Sequence, residues 1–138
     1  MTIEIKGNLP KRQHEYDAGA DLVAAEDWEI GPGSRALVPT GTYLNLPEGT
    51  VGYITPRSGL ASKHGITVLN APGTIDSGYT GEIKVLLINH GDETYFVNEG
   101  DRIAQLVVQP VNLTKYQAVP EFTVRYGERG NNGFGSTG

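Results

Sequence analysis

Ile83-Lys84-Val85-Leu86-Leu87-Ile88 is apolar at every position but Lys84, and its reading decides the fold. Successive side chains of a strand point to opposite faces, so a run apolar at both odd and even positions predicts a central strand covered on each side. Outward from it, runs bounded by Gly, Pro, Asn and Asp predict strands at 36–38, 42–46, 51–55, 66–69, 83–89, 95–97 and 102–109. Their spacing of about 8–12 residues fits an all-β sandwich or barrel. Only Ser58–His64 predicts a helix, about two turns long, with Ser58 placed to cap its first amides.

The 138 residues are enough for one domain with a sizeable core. Nineteen Gly and eight Pro demand many turns without reaching the level of low-complexity chains. Eleven Lys and Arg against sixteen Asp and Glu give a net charge of −5, a field that repels polyanions, so no nucleic-acid partner is expected. The absence of Cys excludes disulfides, thiol nucleophiles and thiolate zinc sites, and it fits a reducing cytoplasm. Met1–Lys11 carries charges at Glu4, Lys6 and Lys11 and no apolar centre, so neither a signal peptide nor a membrane span is expected. His14, His64 and His90 are too scattered for a helical metal motif, and Ser58, His64 and Asp76 lack the oxyanion motif a triad requires.

Five segments can carry chemistry, and each also has an ordinary structural reading. Asp17-Ala18-Gly19-Ala20-Asp21-Leu22 offers two hard carboxylates for Mg2+, directly or through its waters, or simply a turn. Pro56-Arg57-Ser58-Gly59-Leu60 brings a guanidinium, a hydroxyl and free amides to one place, an anion site or merely a capped helix. Asn70 to Glu82 is a glycine-punctuated hairpin from which Asp76 and Tyr79 project; they read as catalytic groups or as an Asx cap and a half-buried packing ring. Gln105 shares a pleat face with Ile103 and Val107, so its amide needs a partner, either a phosphate oxygen or neighbouring backbone. The last segment, Arg129 to Gly138, sets one Arg and one aromatic, Phe134, in a frame of four glycines. It is an anion clamp with a stacking ring, or a disordered end.

Taken in order, Ala18-Gly19-Ala20-Asp21-Leu22, Pro56 to Ala61, Asn70 to Ile83, Gly100 to Gln109 and Arg129 to Gly138 closely resemble the five motifs of the homotrimeric dUTPases. The resemblance implies a jelly-roll-like β domain over 1–128 and a glycine-rich lid over 129–138. It also implies a trimer whose C-terminal segments are exchanged, so that three chains build each active site. The implied reaction is Mg2+-assisted hydrolysis of dUTP to dUMP and pyrophosphate, which limits uracil incorporation into DNA and supplies dUMP for dTMP synthesis. Asp76 then matches the general base that activates water for attack at the α-phosphorus, and Asp21 matches the carboxylate that touches the metal's water shell. Arg57, Ser58, Gly59 and Gln105 match phosphate-binding positions. Asn70, Gly73, Thr74, Ile75 and Lys84 match the nucleoside pocket, and Tyr79 the ring under the deoxyribose that excludes a 2'-hydroxyl. Arg129 matches a γ-phosphate clamp, Phe134 a ring stacked on uracil, and Gly135 and Ser136 further phosphate contacts. Asn132 stands where the fifth motif commonly has Gly; Asn tolerates positive φ, so a modest effect on lid closure is expected.

Two other functions share this fold. A dCTP deaminase would read the cytosine amino group, and the Thr74-Ile75-Asp76 hairpin with Tyr79 and the full 129–138 segment speak for the dUTPase instead. A nucleotide-sensing regulatory protein often carries inserted loops, whereas the connections here are short.

Overall fold

A computed structural model describes residues 1–136. Its elements are β1 (Glu4–Gly7), β2 (Ala20–Val23), β3 (Trp28–Ile30), β4 (Arg35–Asn45), β5 (Thr50–Thr55), α1 (Ser58–His64), β6 (Ile66–Val68), β7 (Gly73–Ile75), β8 (Glu82–Asn89), β9 (Tyr95–Val97) and β10 (Arg102–Pro110). Thr137 and Gly138, the end of the fifth motif, lie outside the described residues.

The Ile83–Ile88 run is the middle of β8, which lies between β4 and β6 in an antiparallel sheet of order β1-β4-β8-β6. A second antiparallel sheet has the order β2-β10-β5-β7, and β3 pairs with β9 as a ribbon. One hydrophobic cluster joins Val38, Val85 and Leu87 of the first sheet to Leu22, Ile54 and Leu106 of the second. The sheets therefore pack on each other as a sandwich with open edges, in keeping with a jelly-roll-like all-β fold rather than a closed barrel. No helix of the described residues is long and apolar enough to cross a membrane.

Burial corrects the expectation that β8 is covered on both faces. Ile83, Val85, Leu87 and Asn89 are buried, whereas Leu86 and Ile88 are half-buried and Lys84 is exposed. Beside them on the same outer face Leu37 is 50% exposed. The sandwich has one core, and among the described residues no strand or helix layer covers this second face.

The predicted strands 36–38 and 42–46 are one strand, β4, whose register against β8 shifts between Pro39 and Thr42. Proline has no N–H for the ladder, and a bulge accommodates it. The polar groups of the bulge are satisfied locally: Thr40 Oγ1 donates to the Ile83 carbonyl, Asn8 Nδ2 to the Thr40 carbonyl (2.8 Å), and the Gly41 N–H to Glu82 Oε2 (3.0 Å). A second irregularity, between Arg102 and Ala104, buries both Ile103 and Ala104 and resets the alternation of β10. Gln105 thus leaves the face of Ile103, against expectation, and is half-buried outside the core.

The helix α1 forms as expected, but Arg57, not Ser58, occupies its N-cap position. Arg57 is extended (φ −91°, ψ 130°), makes no side-chain cap bond, and leaves Ser58 as the first helical residue. Gly65 ends the helix at φ 69°, a conformation that favours glycine. A Cβ there would also lie 2.6 Å from the Gly91 nitrogen. Beyond Pro110 the described chain contains neither helix nor strand, and Tyr116, Phe122, Tyr126 and Phe134 stand in solvent.

Asn89 is fully buried where β8 ends. Its amide nitrogen donates to the carbonyls of Ile30 (2.9 Å) and Glu93 (2.8 Å), and its oxygen accepts the Gly91 N–H (2.8 Å). Asn89→Ala strands three backbone groups away from water and is expected to lower stability by about 3 kcal/mol, measured by urea unfolding.

Candidate functional site

Two pockets, with no residue in common, receive most of the predicted site residues. The first, about 360 Å³, is lined by Asn70, Gly73, Thr74, Ile75, Asp76, Tyr79 and Lys84, together with Leu37, Ile54, Glu82 and Ile83. The second, about 350 Å³, is lined by Asp21, Arg57, Ser58, Gly59 and Gln105, together with Gln13, Asp17, Ala18 and Gly19. Arg129, Phe134, Gly135 and Ser136 line neither.

The first pocket forms where β7 borders the second sheet. Being an edge strand, β7 keeps one side of its backbone unpaired, which presents donors and acceptors to a flat polar ligand. Gly73 and Ile75 are buried, Ile75 within the core cluster, so what β7 offers the pocket is chiefly backbone. After it, the turn Asp76–Tyr79 closes through its main chain, the Tyr79 N–H donating to the Asp76 carbonyl (3.1 Å). The Asp76 carboxylate is exposed and makes no hydrogen bond or ion pair among the described residues, so it does not act as an Asx cap. Tyr79, 47% exposed, donates its hydroxyl to the Glu82 carbonyl (2.9 Å).

The second pocket is a product of strand register. Gln105 of β10 lies opposite Asp21 of β2 on one side and Thr55 of β5 on the other, and the chain leaves β5 through Pro56 and Arg57 into α1. The Gln105 amide donates to the Pro56 carbonyl (3.1 Å), which is the backbone alternative of the sequence reading, and it fixes the start of the Arg57-Ser58-Gly59 segment. Gly19 leaves room for it: a Cβ there would overlap Gln105 Oε1, so the Gln105 side chain would have to shift.

Both ion pairs found among the described residues converge on Asp21: Arg57 Nε at 3.2 Å and Arg102 Nη1 at 3.8 Å. Gln13 Nε2 adds a hydrogen bond to Asp21 Oδ2 (3.0 Å). Asp17, by contrast, accepts the His14 N–H and closes its own turn. The two aspartates therefore do not form a direct metal pair, and no group of three or more metal-binding side chains occurs among the described residues. With its oxygens engaged by cations and an amide, Asp21 fits a Mg2+ ion held chiefly by another oxygen-rich group and touched through water.

His64 lies at the far end of α1 from Ser58, its ring against Tyr95 (centroids 5.0 Å apart, planes at 48°), so it serves packing and no triad. Burial, and after it the Asp101 carboxylate, pushes the Tyr95 hydroxyl above its ordinary pKa against the pull of Arg57. In the tail, Arg129 Nε donates to the Asn132 carbonyl (2.7 Å) and the Ser136 N–H to the Gly133 carbonyl (3.1 Å). Among the described residues Phe134, and not Asn132, is the non-glycine residue with positive φ (49°). Sequence reasoning passed over Gln13, Leu37, Arg102 and Glu82 as site residues, and of these Arg102 and Glu82 stood inside or beside segments already singled out.

A family model described as dUTPase matches residues 6–138. The deoxyuridine 5'-triphosphate nucleotidohydrolase of Crocosphaera subtropica is 53% identical over 138 residues, covering 100% of this chain and 96% of the relative. That of Clostridium tetani is 48% identical, covering 99% and 97%. Among solved structures, the Staphylococcus bacteriophage 80alpha dUTPase with dUPNHPP superposes with a TM-score of 0.91 at 31% identity, covering 99% of this chain and 98% of that one. A mutant dUTPase from phage phi11 of S. aureus, whose structure concerns the coordination of a structural Mg(II) ion, superposes at 0.81 with 30% identity, covering 88% and 99%.

Gly19→Ala is expected to displace the Gln105 amide, break its bond to Pro56 and cost about 1–3 kcal/mol. Gly59→Ala, with nothing within 4 Å of the added methyl, is the control. Urea unfolding of both variants, with a crystal structure of the first, checks this.

Proposed function

The chain belongs to the dUTPase family, and from that premise we propose that it hydrolyses dUTP to dUMP and pyrophosphate. The single observation that carries the reading is the division of the site. A pocket on an edge strand, with a partner-free carboxylate, suits a planar base and a reacting phosphorus, and a separate pocket around Arg57 suits a triphosphate.

In this reading Asp76 takes a proton from a water molecule whose oxygen attacks the α-phosphorus; the bond from that phosphorus to the bridging oxygen breaks and pyrophosphate leaves. The backbone of β7, with Asn70 and Lys84, reads uracil and holds the nucleoside. Tyr79 underlies the deoxyribose and excludes a 2'-hydroxyl. Arg57, Ser58, Gly59 and Gln105 hold phosphate. Since α1 has only seven residues, its dipole adds little, and the guanidinium of Arg57 is the main local cation. Mg2+, bound with the substrate, supplies charge neutralisation across the phosphates, and Asp21 would hold its water shell.

The tail completes the site from another subunit of a homotrimer, with Arg129, Gly135 and Ser136 on phosphate and Phe134 over uracil. Two features support this. The described part of the tail contributes to neither pocket within its own chain, and the face of Leu37, Leu86 and Ile88 leaves apolar surface for a second copy to cover. The enzyme would act in the cytoplasm, where its reaction limits uracil incorporation into DNA and supplies dUMP for dTMP synthesis.

Pyrophosphate release with Mg2+ is expected from dUTP and not from dCTP, dTTP or UTP, and Asp76→Asn should slow it by roughly 10²–10⁴-fold. Ammonia from dCTP would instead indicate a deaminase, and tight dUTP binding without turnover a nucleotide-sensing protein. Mixing Asp76→Asn chains with chains truncated before Arg129 is expected to restore activity above either parent, since mixed trimers hold sites with an intact Asp76 and an intact tail. Ile88→Glu should shift the trimer toward monomer in light scattering.

A further inference from the structure

Resting on that reading, we infer that Glu82 is a specificity-determining positioning residue, a clamp that ties the Tyr79 ring to the bulge in β4 and so sets deoxyribose against ribose discrimination. Glu82 acts through both ends of the residue. Its main-chain carbonyl accepts the Tyr79 hydroxyl (2.9 Å), and its carboxylate accepts the Gly41 N–H (3.0 Å). That amide belongs to the irregular stretch between Pro39 and Thr42, where the ladder to β8 is interrupted. The side chain of Glu82 thus stands in for the missing ladder acceptor, and the same residue fixes the end of the loop that carries Tyr79.

The bulge is itself held from the other side. Asn8 Nδ2 donates to the Thr40 carbonyl, the Asn8 N–H donates to the Gly41 carbonyl (2.8 Å), and Thr42 Oγ1 donates to the Asn8 carbonyl (2.7 Å). Gly41 has φ 67°, which favours glycine, and its N–H meets the Glu82 carboxylate in place of a ladder carbonyl. Between Tyr79 and Glu82, Gly81 leaves room for the ring: a Cβ there would lie 2.7 Å from the Tyr79 hydroxyl oxygen. Tyr79 is 47% exposed and has little packing to hold it, so this short chain of bonds determines where the ring stands. A ring that rejects one hydroxyl on the sugar by contact must be held to a fraction of an ångström, since a loosened wall accommodates an added atom.

The experiment compares wild type, Glu82→Ala, Glu82→Gln, Tyr79→Phe and Gly81→Ala. The readouts are kcat/KM for dUTP and UTP and, without substrate, the exchange rate of the Gly41 amide and the Tyr79 ring signals in NMR. Glu82→Ala is expected to raise the UTP to dUTP ratio of kcat/KM by about tenfold, to speed Gly41 exchange and to shift the Tyr79 ring signals. Glu82→Gln keeps a side-chain oxygen for the Gly41 N–H and restores the ratio to near wild type. Tyr79→Phe loses only the hydroxyl and raises the ratio by less, with no further rise when combined with Glu82→Ala. Gly81→Ala displaces the ring with Gly41 exchange unchanged. Should Glu82→Ala not fold, the Tyr79→Phe and Gly81→Ala ratios decide. Wild-type selectivity in a folded Glu82→Ala, or unmoved Tyr79 signals, overturns the clamp. Lack of dUTP turnover by the wild type sinks the functional reading instead, and the Tyr79 signals still decide the clamp.

Discussion

The antiparallel pairing of β4 with β8 is the constraint from which the rest follows. It aligns the apolar run of β8 with the longest strand of the chain and brings Val38, Val85 and Leu87 onto one face. Side-chain orientation has period two, so a slip of one residue would turn that whole set toward solvent. The pairing is nevertheless broken at Pro39–Thr42, and the break has a use. It frees the Gly41 N–H to reach a side chain of β8 instead of a carbonyl, and that side chain lines the first pocket. Core register and pocket geometry are thus two consequences of one ladder.

The second pocket answers a different requirement. The chain carries a net charge of −5, so the proposed phosphate site has to be built from cations held in place locally. Asp21 does this by pairing with Arg57 and, at longer range, Arg102, while only 10% of its own side chain is exposed. The arrangement orders the guanidinium before any ligand arrives, which reduces the side-chain entropy lost on binding. Counting Asp17, which also lines the pocket, the two aspartates and two arginines carry no net charge together, so a polyanion there would gain from a divalent cation that it brings with it.

Much of this was legible in the sequence, and the misses have physical causes. Long apolar runs such as Ile83–Ile88 and Ile103–Val108 announced strands, because burial imposes composition there. The strands β1, β2, β3 and β7 went unread, since each has only three or four residues and includes a charged residue or a glycine, whereas the equally short β6 and β9 include neither. Simple alternation predicted Gln105 on the core face, and a bulge at Ile103 moved it. Ser58 has the right chemistry for a helix cap, but the chain stays extended one residue less than that role needs. Each site segment alone has an ordinary structural reading, and the segments were readable because five of them follow one another in the order and spacing of one family's motifs. The link from Tyr79 through Glu82 to Gly41 was not, since it joins residues 41 positions apart through a main-chain amide that any residue but proline possesses.

The tail places a thermodynamic condition on how such a site works. Ordering a backbone costs about 1–2 kcal/mol per residue, and among the described residues Arg129–Ser136 has three local hydrogen bonds of its own to set against that. In the proposed lid role, closure therefore has to be driven by the ligand, through the charge of its terminal phosphates on Arg129 and the stacking of its base on Phe134. A monophosphate product keeps the base and gives up most of the charge, so the closed state loses the larger part of its support as soon as pyrophosphate departs. Release then follows from the same glycine-rich composition that makes closure conditional, and a lid stiffened at Gly133, the glycine of the described tail whose φ is not positive, would close more readily and open more slowly.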